Sequence, residues 1–182
     1  LKEYQGAPSQ SPTLQTVKIE AKCKNENQKK FLTLIEEIEI VLSSGSAGCG
    51  KTYLSCLKAL LLLKKYPDKY RKIVLVKSVT TLEDEEIGFL KGGLDEKMAP
   101  FVYSFFSNFE KIIPKSLVKN LRDAGQIEIM PVAYCRGINF DNCIVIIDEA
   151  QNLTRKHIKT LMTRIGYDAK MIFLGDTEQI DL

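Results

Sequence analysis

Long apolar runs are missing from this sequence. The longest, at 60–63 and 144–147, fall far short of the roughly 20 residues that a membrane-spanning helix needs. No basic-then-apolar segment opens the sequence either, so a soluble, cytoplasmic protein with no membrane partner is expected. Cys23, Cys49, Cys56, Cys135 and Cys143 form no CxxC pair and no His/Cys metal spacing, which fits a reduced compartment better than a disulfide framework. His157 is the single histidine; it has no partner for a metal site or a Ser/His triad and is expected on a solvated helix face. A strong excess of one charge is also lacking: 26 Lys and Arg against 23 Asp and Glu leave +3, too mild to diagnose a polyanionic partner. There are no internal repeats.

At 182 residues and 45% hydrophobic content, the chain suits one α/β domain with a two-sided sheet. Residues 1–16, rich in Ser, Pro, Gln and Thr, read as a flexible N-terminal tail or docking arm, and residues 17–182 as the domain. Helical spacing at 25–37 runs into an apolar strand over 38–42 with no turn residue between, which predicts an unusual corner or an interruption of the chain. Further short β-branched or apolar runs at 73–76, 127–130, 143–147 and 171–174 bring the expected strands to five. Helices are expected at 51–65, 96–113, 115–124 and 155–165, an alternation that predicts a predominantly parallel sheet covered on both faces.

Gly45-Ser46-Ala47-Gly48-Cys49-Gly50-Lys51-Thr52 satisfies GxxxxGK[ST] and lies between an apolar strand and a long helix, where a phosphate loop belongs. Its glycines let backbone N–H groups turn toward phosphate oxygens, and the following helix N-terminus adds free donors. Lys51 supplies a positive charge for the β and γ phosphates, and the Thr52 hydroxyl is a hard ligand for Mg²⁺. The apolar run at 144–147 ends in Asp148-Glu149 at the carboxyl end of the sheet, which suits Asp148 to Mg²⁺ and Glu149 to orienting or deprotonating a water. A carboxylate base favours hydrolysis over phosphoryl transfer. Gly175-Asp176-Thr177-Glu178-Gln179 repeats the strand-then-polar arrangement; it reads equally as an ordinary turn or as a segment whose Asp176 and Gln179 reach the crevice, Gln179 to sense the γ-phosphate. Asn25 and Gln28 offer amides that can pair with an adenine edge, although a surface Gln is the commoner case. Arg136 and Arg164 are candidate charge stabilisers.

Together, Asn25 and Gln28, GSAGCGKT, IVIIDEAQN, LMTRIG and GDTEQIDL resemble the PhoH-like family of P-loop ATPases in order and wording, over about residues 17–182. Gly88-Phe89-Leu90, Glu96-Lys97, Pro131-Val132-Ala133-Tyr134 and Arg136-Gly137 add to the resemblance. It implies an ATPase core like that of superfamily 1 helicases: a RecA-like sheet in which the strand before Asp176 inserts between the phosphate-loop and Asp-Glu strands. It also implies Gln28 as adenine reader, Gln179 as γ-phosphate sensor, ATP and Mg²⁺ as cofactors, and a homo-oligomer, with a hexameric ring as one form. In such a ring Arg164, or second Arg136, would complete a neighbour's site. The sequence departs from the family pattern at Lys77-Ser78, where Arg-Pro is frequent, at Lys91 for Pro, and at Cys49 for Thr.

The expected function is a Mg-dependent, helicase-like ATPase acting on single-stranded RNA or DNA. A nucleotide-gated oligomeric assembly or stress-response module without unwinding is the alternative. A small-molecule kinase is less favoured because no arginine-rich lid segment is present, and no acidic cluster suggests a nuclease.

Overall fold

A computed structural model describes residues 11–46, 48–78 and 93–178, with backbone alone for 93–97. Among the described residues, five parallel strands form one sheet: β1 (Ile40–Ser44), β2 (Lys72–Lys77), β3 (Ile127–Pro131), β4 (Cys143–Asp148) and β5 (Lys170–Gly175). The spatial order is β1-β5-β4-β2-β3, so β5 lies between the phosphate-loop strand and the Asp-Glu strand as the family resemblance implies. The helices are α1 (Glu26–Glu37), α2 (Lys51–Lys65), α3 (Gly93–Glu110), α4 (Lys115–Asp123) and α5 (Arg155–Met162). None among the described residues is long and apolar enough to cross a membrane.

Alternation along the strands divides the core into two layers. Ile73, Leu75, Ile144, Ile146, Ile172 and Leu174 pack with α1–α4, whereas Val74, Val76, Val145, Ile147, Met171 and Phe173 pack with Leu161 of α5 and with Val132, Cys135, Phe140 and Leu153. With helices on both faces, both sides of each central strand must be apolar, which is why these runs are continuous rather than alternating.

Two helix ends fall short of the hydrophobic pattern. α3 stops at Glu110, and the N–H groups of Ile112 and Ile113 return to Phe109 O in a turn before Pro114. α5 stops at Met162 because Phe140 donates its N–H to Arg164 O at 2.8 Å and Phe140 bridges Ile165, which pulls the chain away from the helix axis. The abrupt join after α1 is a corner held from β5. Buried Lys170 donates from Nζ to Glu36 O at 3.0 Å and Ile38 O at 2.9 Å, and Met171 N–H donates to Glu39 O at 2.9 Å. A lysine from another strand satisfies helix-end carbonyls that a local cap would otherwise have to meet.

Residues 1–10 lie outside the described residues. The remainder of the N-terminal segment runs along α2: Gln15 Nε2 donates to Lys64 O at 3.1 Å, Lys64 Nζ donates to Val17 O, and Leu14 and Val17 pack on the core.

α1 and α2 are clamped by Glu36, which accepts from Lys58 and, at 2.6 Å, from Lys65. Hydrogen bonds from Lys58, then Lys65, pull its carboxyl down to about 2 from an ordinary 4.5. A depressed folded value stabilises the fold above the unfolded value and loses that contribution as pH falls from about 4.5 through about 2. Lys65 is largely exposed, but Lys58 is mostly buried, so Glu36→Gln should cost about 1–2 kcal/mol at neutral pH. Urea denaturation of both proteins should show this gap at pH 7 and a narrowing gap as pH drops through that window. A gap independent of pH would rule out the ionised clamp as its source.

Candidate functional site

The phosphate loop depends on its glycines. Gly48 and Gly50 have φ of 82° and 85°, a left-handed backbone that costs an L side chain roughly 1–2 kcal/mol. At Gly45 the restriction is space, since a Cβ there would come within 3.2 Å of Cys49 Sγ. Gly50 caps α2, so the helix starts at Lys51 with its first N–H groups facing the loop. The Lys51 ammonium donates to Gly45 O and, at 3.1 Å, to Ser46 O, lying within the loop instead of extending into solvent.

Gln28 braces the loop from α1. Its Oε1 accepts from Lys24 N–H at 2.7 Å and its Nε2 donates to Cys49 O at 3.3 Å. Asn25 acts as the N-cap of α1, accepting from Gln28 N–H at 2.9 Å. Ala47 and Gln179 lie outside the described residues, as do Gly88-Phe89-Leu90 and Lys91 of the resemblance.

β4 brings its carboxylates to the same cleft. Its parallel register pairs Lys77 with Asp148 at the ends of β2 and β4. Lys77 follows Ile73 and Leu75, and Asp148 follows Ile144 and Ile146, so both face the α2–α3 layer. The Lys77 ammonium lies 3.6 Å from Asp148 Oδ2 and 2.7 Å from Glu149 Oε1, with the Phe101 ring of α3 4.2 Å away. Asp148 Oδ1 accepts from Glu149 N–H at 3.0 Å. Glu149 has φ 51° and ψ 44°, and this turn carries the chain into a short 3₁₀ turn over Ala150–Asn152. Gln151 then reaches β5, accepting through Oε1 from Asp176 N–H at 3.0 Å, and buried Asp176 accepts from Glu178 N–H at 2.9 Å.

These parts enclose a cleft of about 410 Å³, lined on the loop side by Gly48 through Tyr53 and on the sheet side by Asp148, Glu149, Gln151, Gly175 and Asp176. Asn108 of α3 and Lys111 in the turn after it line it as well. The structure thus brings together Gly48, Cys49, Gly50, Lys51, Thr52, Asp148, Glu149 and Asp176, with Gly45 and Ser46 against Lys51 and Gln28 behind the loop. Arg136 and Arg164 do not line the cleft. Arg136 is exposed, and Arg164 follows α5 with a buried Nε that has no hydrogen-bond partner among the described residues. His157 completes a capping box with Thr154 at the start of α5. A larger cavity of about 970 Å³ lies between α3, α4 and β3 and carries none of this chemistry.

Sequence reasoning gave no site role to Asn108 or Lys111, read Lys77 only as a departure from the family pattern, and met Gln151 only inside the IVIIDEAQN motif. Lys77 had a legible signal, being the next position on the Ile73, Leu75 face of β2. Lys111 and Asn108 had none, because only the packing of α3 beside α2 brings them to the loop.

The family profile described as "PhoH-like protein" matches residues 20–182. The chain is 37% identical to a PhoH-like protein of Bacillus subtilis (strain 168) over 159 residues, covering 87% of this chain and 49% of that protein. It is 38% identical to Protein PhoH of Escherichia coli (strain K12) over 162 residues, covering 87% and 45%. The chain therefore spans about half the length of the curated relatives it matches. Among solved structures, the SWI2/SNF2 ATPase core of Sulfolobus solfataricus, in complex with dsDNA, superposes with a TM-score of 0.55 at 15% identity, covering 86% of this chain and 32% of that one.

Proposed function

Taking as premise that this chain belongs to the PhoH-like protein family, we propose that its P-loop NTPase domain binds ATP with Mg²⁺ and hydrolyses it, using the cycle to act on single-stranded RNA or DNA. One observation carries the reading: a single cleft gathers Lys51 and Thr52 from the phosphate loop with Asp148 at the end of β4 and Glu149 immediately after it. No group of three or more His, Cys, Asp or Glu among the described residues could hold a metal unaided. Thr52 and Asp148 supply the sparse, hard-oxygen protein share that Mg²⁺ takes when phosphate oxygens and water complete its shell. When bound, the ion would neutralise charge on the phosphates.

Glu149 takes a proton from water as the water oxygen bonds to the γ-phosphorus. The bond from that phosphorus to the β–γ bridging oxygen breaks, and ADP leaves. Lys51 and the loop N–H groups hold the phosphate oxygens in line. Gln28 retains one amide lone pair and one N–H beyond its present bonds, enough for an adenine edge. Gln179 is assigned to sensing the γ-phosphate and Asp176 to the same side of the cleft. Arg164, outside its own cleft, suits completion of a neighbour's site in a homo-oligomer better than a role within one chain, with Arg136 second.

The test is phosphate release from Mg-ATP at low salt, alone and with single-stranded RNA or DNA, alongside mass measurement with and without nucleotide. Turnover stimulated at least severalfold by a strand supports the reading. Turnover indifferent to both strands removes the nucleic-acid part. Nucleotide-dependent assembly without turnover would favour a gated assembly module.

A further inference from the structure

Lys77 is a buried cation that neither the phosphate loop nor the strand-end carboxylates require by motif. Its side chain is 4% exposed, whereas that of Glu149 is 41% exposed. The lysine is held by β2 hydrogen bonding to both β4 and β3, by its own burial, and by the Phe101 ring. The glutamate sits just beyond the end of β4 and faces the cleft. Of the two partners, then, the lysine is the fixed one and the glutamate the one with room to move. The contact to Glu149, at 2.7 Å, is also shorter than that to Asp148, at 3.6 Å.

We infer that Lys77 is a positioning residue for Glu149, anchoring Oε1 so that the other carboxylate oxygen is presented to the cleft for the attacking water; this rests on the hydrolase reading above. A burial-driven constraint explains why a charge is used here. An ammonium taken out of water must find carboxylates, and among the described residues the ones it meets are those at the end of β4 and immediately after it. The same ion pair restricts the rotamers of a side chain that is otherwise free to swing through solvent. Orientation of a base is worth a large factor in rate while leaving ground-state binding almost untouched. Lys77 itself does not line the cleft, so its effect passes through Glu149.

Lys77→Met keeps the chain length and the contact with Phe101 but removes the anchor; Lys77→Arg keeps the charge. In Mg-ATP turnover, Lys77→Met should lower kcat about 10- to 100-fold. Its ATP Kd should stay within about twofold, since only transition-state geometry is lost. Lys77→Arg should recover most of the rate at the same Kd. Lys77→Met with wild-type kcat would overturn the inference. So would losses of kcat, Kd and Tm that run in parallel in both variants, because those mark a merely structural residue. A wild-type protein that binds ATP without turning it over would sink the hydrolase reading and this inference with it. Wild-type turnover that Lys77→Met leaves unchanged sinks this inference alone.

Discussion

Replacing Lys51 with alanine should lower Mg-ATP turnover about 10²- to 10³-fold, the loss associated with removing one preorganised charge stabiliser from a phosphate or oxyanion site. The ammonium is now held by Gly45 O and Ser46 O, two carbonyls of its own loop. Phosphate oxygens carry full charge, and a charge-assisted bond to them is roughly twice as strong as a bond to a neutral acceptor. The same change should weaken ATP binding by about 10-fold or more, because a charged hydrogen bond of about 1.5–3 kcal/mol is lost from the ground state as well. Lys51 is the first residue of α2 and only partly buried, and alanine is the best helix former, so the fold should be retained. Phosphate release and nucleotide titration on a protein with an unchanged thermal melt would establish this. Turnover within a few-fold of wild type would remove the loop from the catalytic account.

Glu149→Gln should separate binding from chemistry. The amide keeps the size of the carboxylate and can still accept from Lys77, but it cannot take a proton, so kcat should fall about 10²- to 10⁴-fold. Nucleotide affinity should hold, since Thr52 and Asp148 remain for Mg²⁺ and the loop remains for the phosphates. Lys77 keeps Asp148 as a partner at 3.6 Å, so the buried ammonium is not stranded and stability should change by only about 1 kcal/mol. Single-turnover hydrolysis with parallel nucleotide binding tests both halves. A variant that loses ATP affinity in step with kcat would point to Glu149 as a ground-state ligand instead of a base.

Local features of the fold were legible in the sequence to the residue or nearly so. α2 begins at Lys51 and ends at Lys65 as its leucine spacing and Pro67 predict. The five strands fall on the five apolar runs with shifts of a residue or two at their ends. Misjudged boundaries have a common cause. Ile112, Ile113 and Ile165 continue a helical pattern of apolar residues, yet the first two lie in a turn held by Phe109 O and the third in a bridge to Phe140, partners that no periodicity reveals. The join between α1 and β1 looked improbable for the same reason, because Lys170, which satisfies its carbonyls, lies far along the chain in β5.

The site divides along the same line. The sequence by itself determined the phosphate loop, since positive-φ glycines, a lysine and a threonine ahead of a helix are consecutive residues whose backbone needs are met locally. It also determined that Asp148 and Glu149 end a buried strand. The place of β5 between β1 and β4 followed from the family resemblance and not from spacing. Tertiary structure alone decided that Lys77 stands in register with Asp148, that Gln151 reaches Asp176, that α3 sets Phe101 against Lys77, and that α3 and the turn after it bring Asn108 and Lys111 to the cleft. Those relations arise from parallel strands joined by long crossovers, whose pairing depends on how two faces of apolar side chains pack together and not on any run of neighbouring residues.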